Sequence, residues 1–296
     1  MTDTAQSEIG AITRLLLKHP RDAFGDAESI ARQWRDLNFT APPDLPAAID
    51  EYDRFLSCLD TQGVALHALP AANGTTLDSI YVRDASVVCD RGAILCRMGK
   101  PAREHEPRAQ RLAFEAIGCP VAGEIVAPGR LEGGDVLWLD RRTIVVGRGY
   151  RTNDSGITQL RALLGSDIDR LIVVPLPHWR GTSDVFHLMS IISPVDTDLA
   201  VVYSPLMPVP FRELLLDRGI SLIEVPDEEF ATMGANVLAI APRRAVMLRG
   251  NPTTRRRLEE AGAEVIEYDG AHISMMGGGG PTCLTRPLLR ADPSGA

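Results

Sequence analysis

The strongest constraint on the fold is a repeated order of predicted elements, which begins anew roughly every 50 residues. Each unit contains two short strands joined by a turn, then a helix, then a third strand. The first unit has a hairpin at 80–97, a helix at 103–118 and a strand at 119–126; the second has them at 131–147, 153–165 and 171–176. The third begins at residue 185, with a helix at 210–219 and a strand at 221–226; the fourth begins at 235, with a helix at 253–262 and a strand at 263–269.

The fifth unit is divided between the two ends of the chain. A last hairpin at 281–289 lacks a helix, whereas residues 47–63 have helical periodicity and 64–69 are typical of a following strand. We therefore expect the N-terminus to complete the C-terminal blade of an α/β ring, in which five hairpin-helix-strand units surround an axis. One domain would span residues 1–296, with an ordered core near 10–290.

A doubly wound nucleotide-binding fold is the alternative. It does not predict two strands per repeat, and no glycine fingerprint stands between a strand and a helix. The five-unit ring is therefore the better interpretation.

Composition excludes several classes of function. The 296 residues are 45% hydrophobic and 24% charged, with no long uncharged apolar run, so no membrane span is expected. No secretory signal is visible, and five widely spaced cysteines indicate reduced thiols in the cytoplasm. The net charge of -8 argues against nucleic acid, and six scattered histidines predict neither a metal site nor another cofactor. Composition leaves a homo-oligomer open.

Side chains capable of chemistry occur where the predicted hairpins begin. Asp78 and Asp84 flank the first opening strand, Glu132 begins the Glu-Gly-Gly-Asp sequence of the second, and His187 opens the third. Cys283 opens the fifth, shortly after four glycines that allow close approach of the backbone to a ligand. A closed ring would bring these groups into one cavity. Singly, each has a structural alternative, such as a packed cysteine, a core histidine or an ordinary turn.

These segments together resemble a known family. They are similar to the dimethylarginine dimethylaminohydrolases, within the superfamily of guanidine-modifying amidinotransferases and arginine deiminases that shares the five-bladed α/β propeller, or pentein, fold. The matching segments follow the family order across most of the chain, at residues 78–84, 97 with 99–103, 131–136, 151–153, 187–188 and 277–283.

The resemblance implies a cofactor-free hydrolase of a small guanidine. Cys283 would attack the guanidinium carbon and form a covalent thiouronium, while His187 would protonate the departing amine and then activate water. Glu132 would hold the guanidinium and orient the site, and Asp84 would bind the remaining nitrogens.

The resemblance also implies a binding site for the amino-acid end of the substrate. Arg97 and Arg151 match positions that bind the carboxylate, a role that suits the planar guanidinium fork. Asp78 matches a residue near the amino end. Surface solvation or a structural ion pair is the alternative for both arginines.

Two positions depart from the family pattern. Arg83 precedes Asp84 where dimethylargininases have glutamate, and Met189 stands where they have lysine and arginine deiminases have aspartate. The missing acid favours a guanidine whose far nitrogen carries an alkyl group, which would pack against Met189.

The sequence thus predicts a hydrolase that converts a substituted arginine, such as dimethylarginine, to citrulline and an amine. An arginine deiminase and an amidinotransferase are the alternatives. A non-catalytic binding protein of the same fold is a third, against which the intact set of Cys283, His187 and Glu132 argues. The polar, glycine-containing residues 21–27 are expected to form a lid over the cavity.

Overall fold

The computed structural model describes residues 3–59, 63–181 and 186–293. Its N-terminal part contains short strands and three helices, which are β1 (Asp3–Thr4), β2 (Ile12–Leu17), α1 (Pro20–Ala23), α2 (Ala27–Gln33), α3 (Leu45–Cys58) and β3 (Ala65–Ala68). Helix α3 begins where the Asp44 carboxylate accepts a hydrogen bond from the Ala47 N–H, as an N-cap residue does.

Four units of one design follow, each with an antiparallel hairpin, a helix and a third strand parallel to the second. The first two consist of β4 (Ser86–Cys89), β5 (Gly92–Leu95), α4 (Glu106–Ala116) and β6 (Val121–Glu124), then β7 (Val136–Asp140), β8 (Thr143–Arg148), α5 (Asp154–Leu164) and β9 (Arg170–Pro175). The next two consist of β10 (Ile192–Asp196), β11 (Leu199–Val202), α6 (Val209–Asp217) and β12 (Ser221–Glu224), then α7 (Asp227–Phe230), β13 (Val237–Ala241), β14 (Arg244–Leu248), α8 (Pro252–Glu260) and β15 (Glu264–Tyr268).

The fifth unit joins the chain ends, as predicted, but its hairpin is formed differently. Residues 281–289 do not form a hairpin; they lead into one strand, β16 (Thr285–Ala291), which pairs antiparallel with β1 and β2. Strand β2 then pairs parallel with β3, with α3 between them in sequence. The second strand of the unit therefore comes from the N-terminus, which no local pattern near residue 281 could reveal.

Burial explains why the repeats were visible in the sequence. We call β4, β7, β10, β13 and β16 the inner strands, because each lies on the far side of its antiparallel partner from the parallel strand. They are largely buried, whereas the outer strands β3, β6 and β12 are partly exposed. Inner strands therefore appear as short continuous apolar runs, and each outer strand follows an amphipathic helix. The described strands form five sheets in a five-bladed α/β propeller.

Two predicted boundaries lie outside the described residues. They are residue 185, the predicted start of the third unit, and residues 60–62, near the end of the helix predicted at 47–63. Helix α5 begins after Asn153, whose side chain accepts a hydrogen bond from the Gly156 N–H, as an N-cap residue does. Within the described part of the chain, every helix is too short or too polar to span a bilayer.

Candidate active site

A cavity of about 390 Å³ is lined by residues that shortly precede four of the inner strands. These are Asp84 before β4, His187 before β10, Asn236 before β13 and Cys283 before β16. Residues far apart in sequence therefore share one space. The predicted meeting of carboxylate, imidazole and thiol is therefore present.

Glu132 supports the cavity from behind and does not line it. Its side chain is fully buried, and Oε1 accepts hydrogen bonds from the backbone N–H groups of Gly99 (2.8 Å) and Lys100 (3.0 Å). Its Oε2 lies 2.9 Å from Arg151 Nη1 and 2.7 Å from His187 Nε2. Both oxygens therefore accept hydrogen bonds from the protein, and Glu132 orients His187 and Arg151. Neither oxygen is free to accept the hydrogen bond from a guanidinium that the resemblance implied.

His187 is surrounded by carboxylates. Burial by itself would lower its pKa, but the charges of Asp84 and Asp135 and the hydrogen bond and charge of Glu132 together raise that pKa to about 9. The imidazole is thus protonated near neutral pH. In the opposite sense, burial would raise the pKa of Glu132, but His187 and Arg151 hold it well below its ordinary value.

Asp84 is the carboxylate that the site presents beside the imidazole. Its Oδ1 accepts a hydrogen bond from the Gly134 N–H at 3.0 Å and lies 3.7 Å from His187 Nδ1, while Oδ2 pairs with buried Arg103. Burial would raise the pKa of Asp84, yet His187 and Arg103 lower it, so the group is anionic. Gly134 permits this approach, since a Cβ there would lie 2.6 Å from Asp84 Oδ1.

Cys283 is partly exposed to the cavity, and two polar side chains lie close to its sulfur. Asn236 Nδ2 lies 3.6 Å from Sγ, and Thr282 Oγ1 lies 3.9 Å away. Burial and then the negative charge of Asp84 raise the thiol pKa, while the contacts with Thr282 and Asn236 act in the opposite direction. Without a bound cation the cysteine is therefore a neutral thiol, and a positive ligand near Sγ would favour the thiolate.

Three other residues of the lining form a second charged group. Asp78 is buried and lies 2.6 Å from Lys100 Nζ, which also donates to the Leu37 carbonyl at 2.9 Å. Arg151 also lines the cavity, with one nitrogen on Glu132. Two cations and one carboxylate thus lie together, a set that suits the carboxylate and ammonium of an amino acid.

Another part of the lining is mostly aromatic and apolar, with the Arg180 guanidinium over the Trp179 ring. The ring of Trp179 packs edge to face against Phe186 and Phe230, each with a centroid distance of 5.6 Å. Met233 and Met275 also line the cavity. Such a wall accommodates alkyl groups.

Several expected residues lie elsewhere. Arg97 is exposed, donates to the Gly129 carbonyl at 3.1 Å and does not line the cavity. Met189 is buried outside the lining, so an alkyl group in the cavity would meet other side chains. Residues 21–27 contribute nothing to the lining either; Leu37 and Asn38 do so instead.

Arg83, the residue that departs from the family pattern, faces the protein interior. Its Nε donates to the Thr282 carbonyl at 3.0 Å, and its Nη1 lies 3.3 Å from the buried Glu8 carboxylate. Its guanidinium stabilises the segment that carries Cys283 and does not line the cavity. The departure from the family pattern at Arg83 therefore affects how the segment that carries Cys283 is held in place.

A metal could be considered at Asp84, Glu132 and His187, whose ligand atoms lie within 4.8 Å of one another. Each oxygen of Glu132 already accepts two hydrogen bonds, and both oxygens of Asp84 have donors. The carboxylate oxygens of this cluster are therefore engaged in hydrogen bonds within the protein.

Asn236, Lys100 and Arg103 were not predicted as site residues from the sequence. The signal for Asn236 was available, because it immediately precedes β13, just as the other cavity residues precede their inner strands. No sequence pattern predicted the hydrogen bond from the Lys100 backbone N–H to Glu132, because it forms only when two separate loops fold against each other.

Fold and site together define a class: this is a pentein-fold hydrolase that acts on C–N bonds of amidines. The model of the family described as N,N dimethylarginine dimethylhydrolase, eukaryotic, matches residues 44–290. The chain belongs to the dimethylarginine dimethylaminohydrolase family.

Two relatives and one solved structure show how far the similarity extends along the chain. A dimethylarginine dimethylaminohydrolase of Streptomyces coelicolor is 32% identical over 242 residues, 82% of this chain and 86% of that protein. An arginine deiminase of Mycobacterium avium is 28% identical over 258 residues, 72% of this chain and 60% of that protein. The structure of the Pseudomonas aeruginosa dimethylarginine dimethylaminohydrolase with citrulline has a TM-score of 0.74 at 23% identity, covering 93% of this chain and 98% of that one, and shares the fold.

Proposed function

We propose that this protein hydrolyses an Nω-substituted arginine, of which dimethylarginine is the model, to citrulline and an amine. The observation that carries the proposal is the limited supply of carboxylates in the cavity. Among the described lining residues, Asp84 and Asp78 are the carboxylates, and Asp78 is held by Lys100. One carboxylate beside Cys283 suits a guanidinium whose other edge is alkylated and lies against an apolar wall.

Binding prepares the nucleophile. Asp84 holds the planar cation next to Cys283, and the positive charge of that cation offsets the burial and the Asp84 charge that raise the thiol pKa. The thiol proton leaves to solvent, and the thiolate forms only when substrate is in place. At the other end Arg151 binds the α-carboxylate and Asp78 the ammonium group.

Two chemical steps follow. Cys283 Sγ bonds to the guanidinium carbon, the bond from that carbon to the substituted nitrogen breaks, and the nitrogen leaves as an amine with the proton of His187. Neutral His187 then takes one proton from water as the water oxygen attacks the same carbon, and the carbon–sulfur bond breaks while the second water proton passes through solvent to the sulfur. The products are the ureido group of citrulline, the amine and the regenerated Cys283 thiol.

The raised pKa of His187 suits this order of events. An imidazole with a pKa of about 9 is protonated at the start, as a proton donor must be. The thiol must stay reduced, and all five cysteines are unpaired, so we infer a cytoplasmic site of action.

Product analysis tests the function. Purified protein is incubated with arginine, monomethylarginine and asymmetric dimethylarginine, and citrulline, ammonia and methylamines are quantified by mass spectrometry. We expect methylamines from the methylated substrates at a higher kcat/KM than ammonia from arginine, with no turnover by Cys283→Ser. A protein adduct equal in mass to the amidino intermediate, trapped by acid quench, supports the covalent step.

Arginine deimination is the second candidate, and the 28% identity to an arginine deiminase favours it. A higher kcat/KM for arginine than for its methylated forms would establish that activity and reject our proposal. Added primary amines that divert the amidino group from citrulline would instead indicate an amidinotransferase.

A further inference from the structure

The fourth unit contributes a side chain to the nucleophile that the proposed mechanism does not yet use. Asn236 immediately precedes β13, is 6% exposed and lines the cavity beside Cys283. It is the fourth-unit counterpart of Asp84, His187 and Cys283, each of which shortly precedes the inner strand of its own unit.

Hydrogen bonds determine which end of the Asn236 amide faces the sulfur. The backbone N–H of Thr282 donates to Asn236 Oδ1 at 3.1 Å, and Thr282 Oγ1 donates to the same oxygen at 2.9 Å. A backbone N–H can only donate, so the atom that it meets must be the oxygen. The amide nitrogen is therefore directed toward Cys283, with Nδ2 3.6 Å from Sγ.

The backbone around the nucleophile is shaped for this contact. A Cβ at Gly280 would lie 2.5 Å from both Cγ and Oδ1 of Asn236, so the absence of a side chain there admits the amide. The Gly280 carbonyl in turn accepts a hydrogen bond from the Cys283 N–H at 3.0 Å. One turn thus holds both the sulfur and its donor.

The charge of the substrate gives this arrangement a purpose. A hydrogen-bond donor stabilises a thiolate more than a thiol, and therefore lowers the thiol pKa. A lysine or arginine in the same place would do so more strongly, but it would repel a guanidinium cation. A neutral amide stabilises the anion without opposing the substrate.

We propose that Asn236 is a catalytic residue that orients Cys283 Sγ and stabilises its thiolate by donating from Nδ2. The inference rests on the proposed function for its role in turnover. The contact with sulfur can be tested without any substrate.

The test measures the reactivity of Cys283 in the ligand-free protein. Wild type, Asn236→Ala and Asn236→Ser are treated with iodoacetamide over a range of pH, and alkylation of the Cys283 peptide is followed by mass spectrometry. Because Asn236→Ala removes a hydrogen bond to the charged thiolate, the pH midpoint of Cys283 alkylation should rise by about one to two units. We expect kcat/KM near neutral pH to fall about 10- to 100-fold.

A matched control is Asn251→Ala in the same unit. Asn251 is also buried, and its Nδ2 donates to the carbonyls of Thr232 and Leu248, away from the cavity. This change should lower the melting temperature and leave the alkylation midpoint where it is in wild type. Thr282→Val, which removes one of the two donors to Asn236 Oδ1, should shift the midpoint less than Asn236→Ala.

The outcomes separate the two proposals. An unchanged midpoint in both Asn236 variants, with turnover lowered equally at every pH, means that Asn236 only supports the loop, and it overturns this inference. If wild type processes no guanidine, the proposed function fails, while the alkylation midpoints still decide the contact. Should Asn236→Ala not fold, Asn236→Ser provides the same measurement.

Discussion

His187 Nε2 lies 2.7 Å from Glu132 Oε2, and this contact connects the imidazole in the cavity to a carboxylate outside the lining. The other Glu132 oxygen is held by two backbone N–H groups, so the carboxylate cannot turn away. A fixed anion behind an imidazole both orients the ring and favours its protonated form.

Replacement of Glu132 by glutamine should lower the pKa of His187 from about 9, because an anion next to the ring is lost. We expect kcat to fall by about 10²- to 10⁴-fold, the range associated with general acid–base catalysis. The pH–rate profile and an NMR titration of His187 measure both effects. Glu124→Gln, at a surface pair with Arg111, is the control and should change neither. An unaltered His187 titration in Glu132→Gln would contradict the assignment.

The protonation of His187 also predicts how stability depends on pH. Its pKa in the folded protein, about 9, lies above the ordinary value of 6.5, so proton binding stabilises the fold. That contribution is complete below pH 6.5 and is lost as the pH rises through 9. The difference in free energy of unfolding between Cys283→Ser and Cys283→Ser/His187→Gln should therefore shrink over this interval in urea titrations. A constant difference would mean that His187 is neutral in the fold.

Arg151 and Arg97 provide a matched pair for the carboxylate site. Arg151→Gln should lower kcat/KM for amino-acid substrates about 100-fold more than for the decarboxylated guanidine agmatine, because a charge-assisted bidentate bond is lost. Arg97→Gln should leave both values near wild type, since Arg97 is exposed and outside the lining. Steady-state kinetics of the two variants provide the comparison. A selective loss for amino-acid substrates in Arg97→Gln would restore the role that the family resemblance gave it.

Gly280→Ala should disrupt the nucleophile without altering its chemistry. The new methyl group would lie 2.5 Å from the Asn236 amide, and a displacement on the order of 1 Å in an active site can cost about 100-fold in rate. Gly149→Ala is the control, since its Cβ would be 3.4 Å from Leu176, an ordinary contact. Activity and melting temperature are measured for both. Wild-type activity in Gly280→Ala would show that the amide can move without consequence.

Much of the fold could be predicted because its elements are encoded locally. The helix predicted at 153–165 is found as α5, and the strand predicted at 221–226 is found as β12. Cys283, His187, Asp84 and Asp78 lie in or around one cavity, as their places before the hairpins indicated. The prediction of a hairpin at 281–289 was wrong, because the strand that pairs with β16 is β2, about 270 residues earlier in the chain.

The sequence by itself determined the order of strands and helices, the five-part repeat and the identity of the reactive side chains, because hydrophobic periodicity and turn residues act over a few positions. Only the tertiary structure decided which way those side chains face. Glu132 lies behind His187 because donors from two separate segments, at Gly99 and Lys100 and at Arg151, hold its oxygens. Arg97 and Arg83 are excluded from the cavity by contacts with residues distant in sequence. Such contacts depend on how blades pack around the axis, which no local pattern encodes.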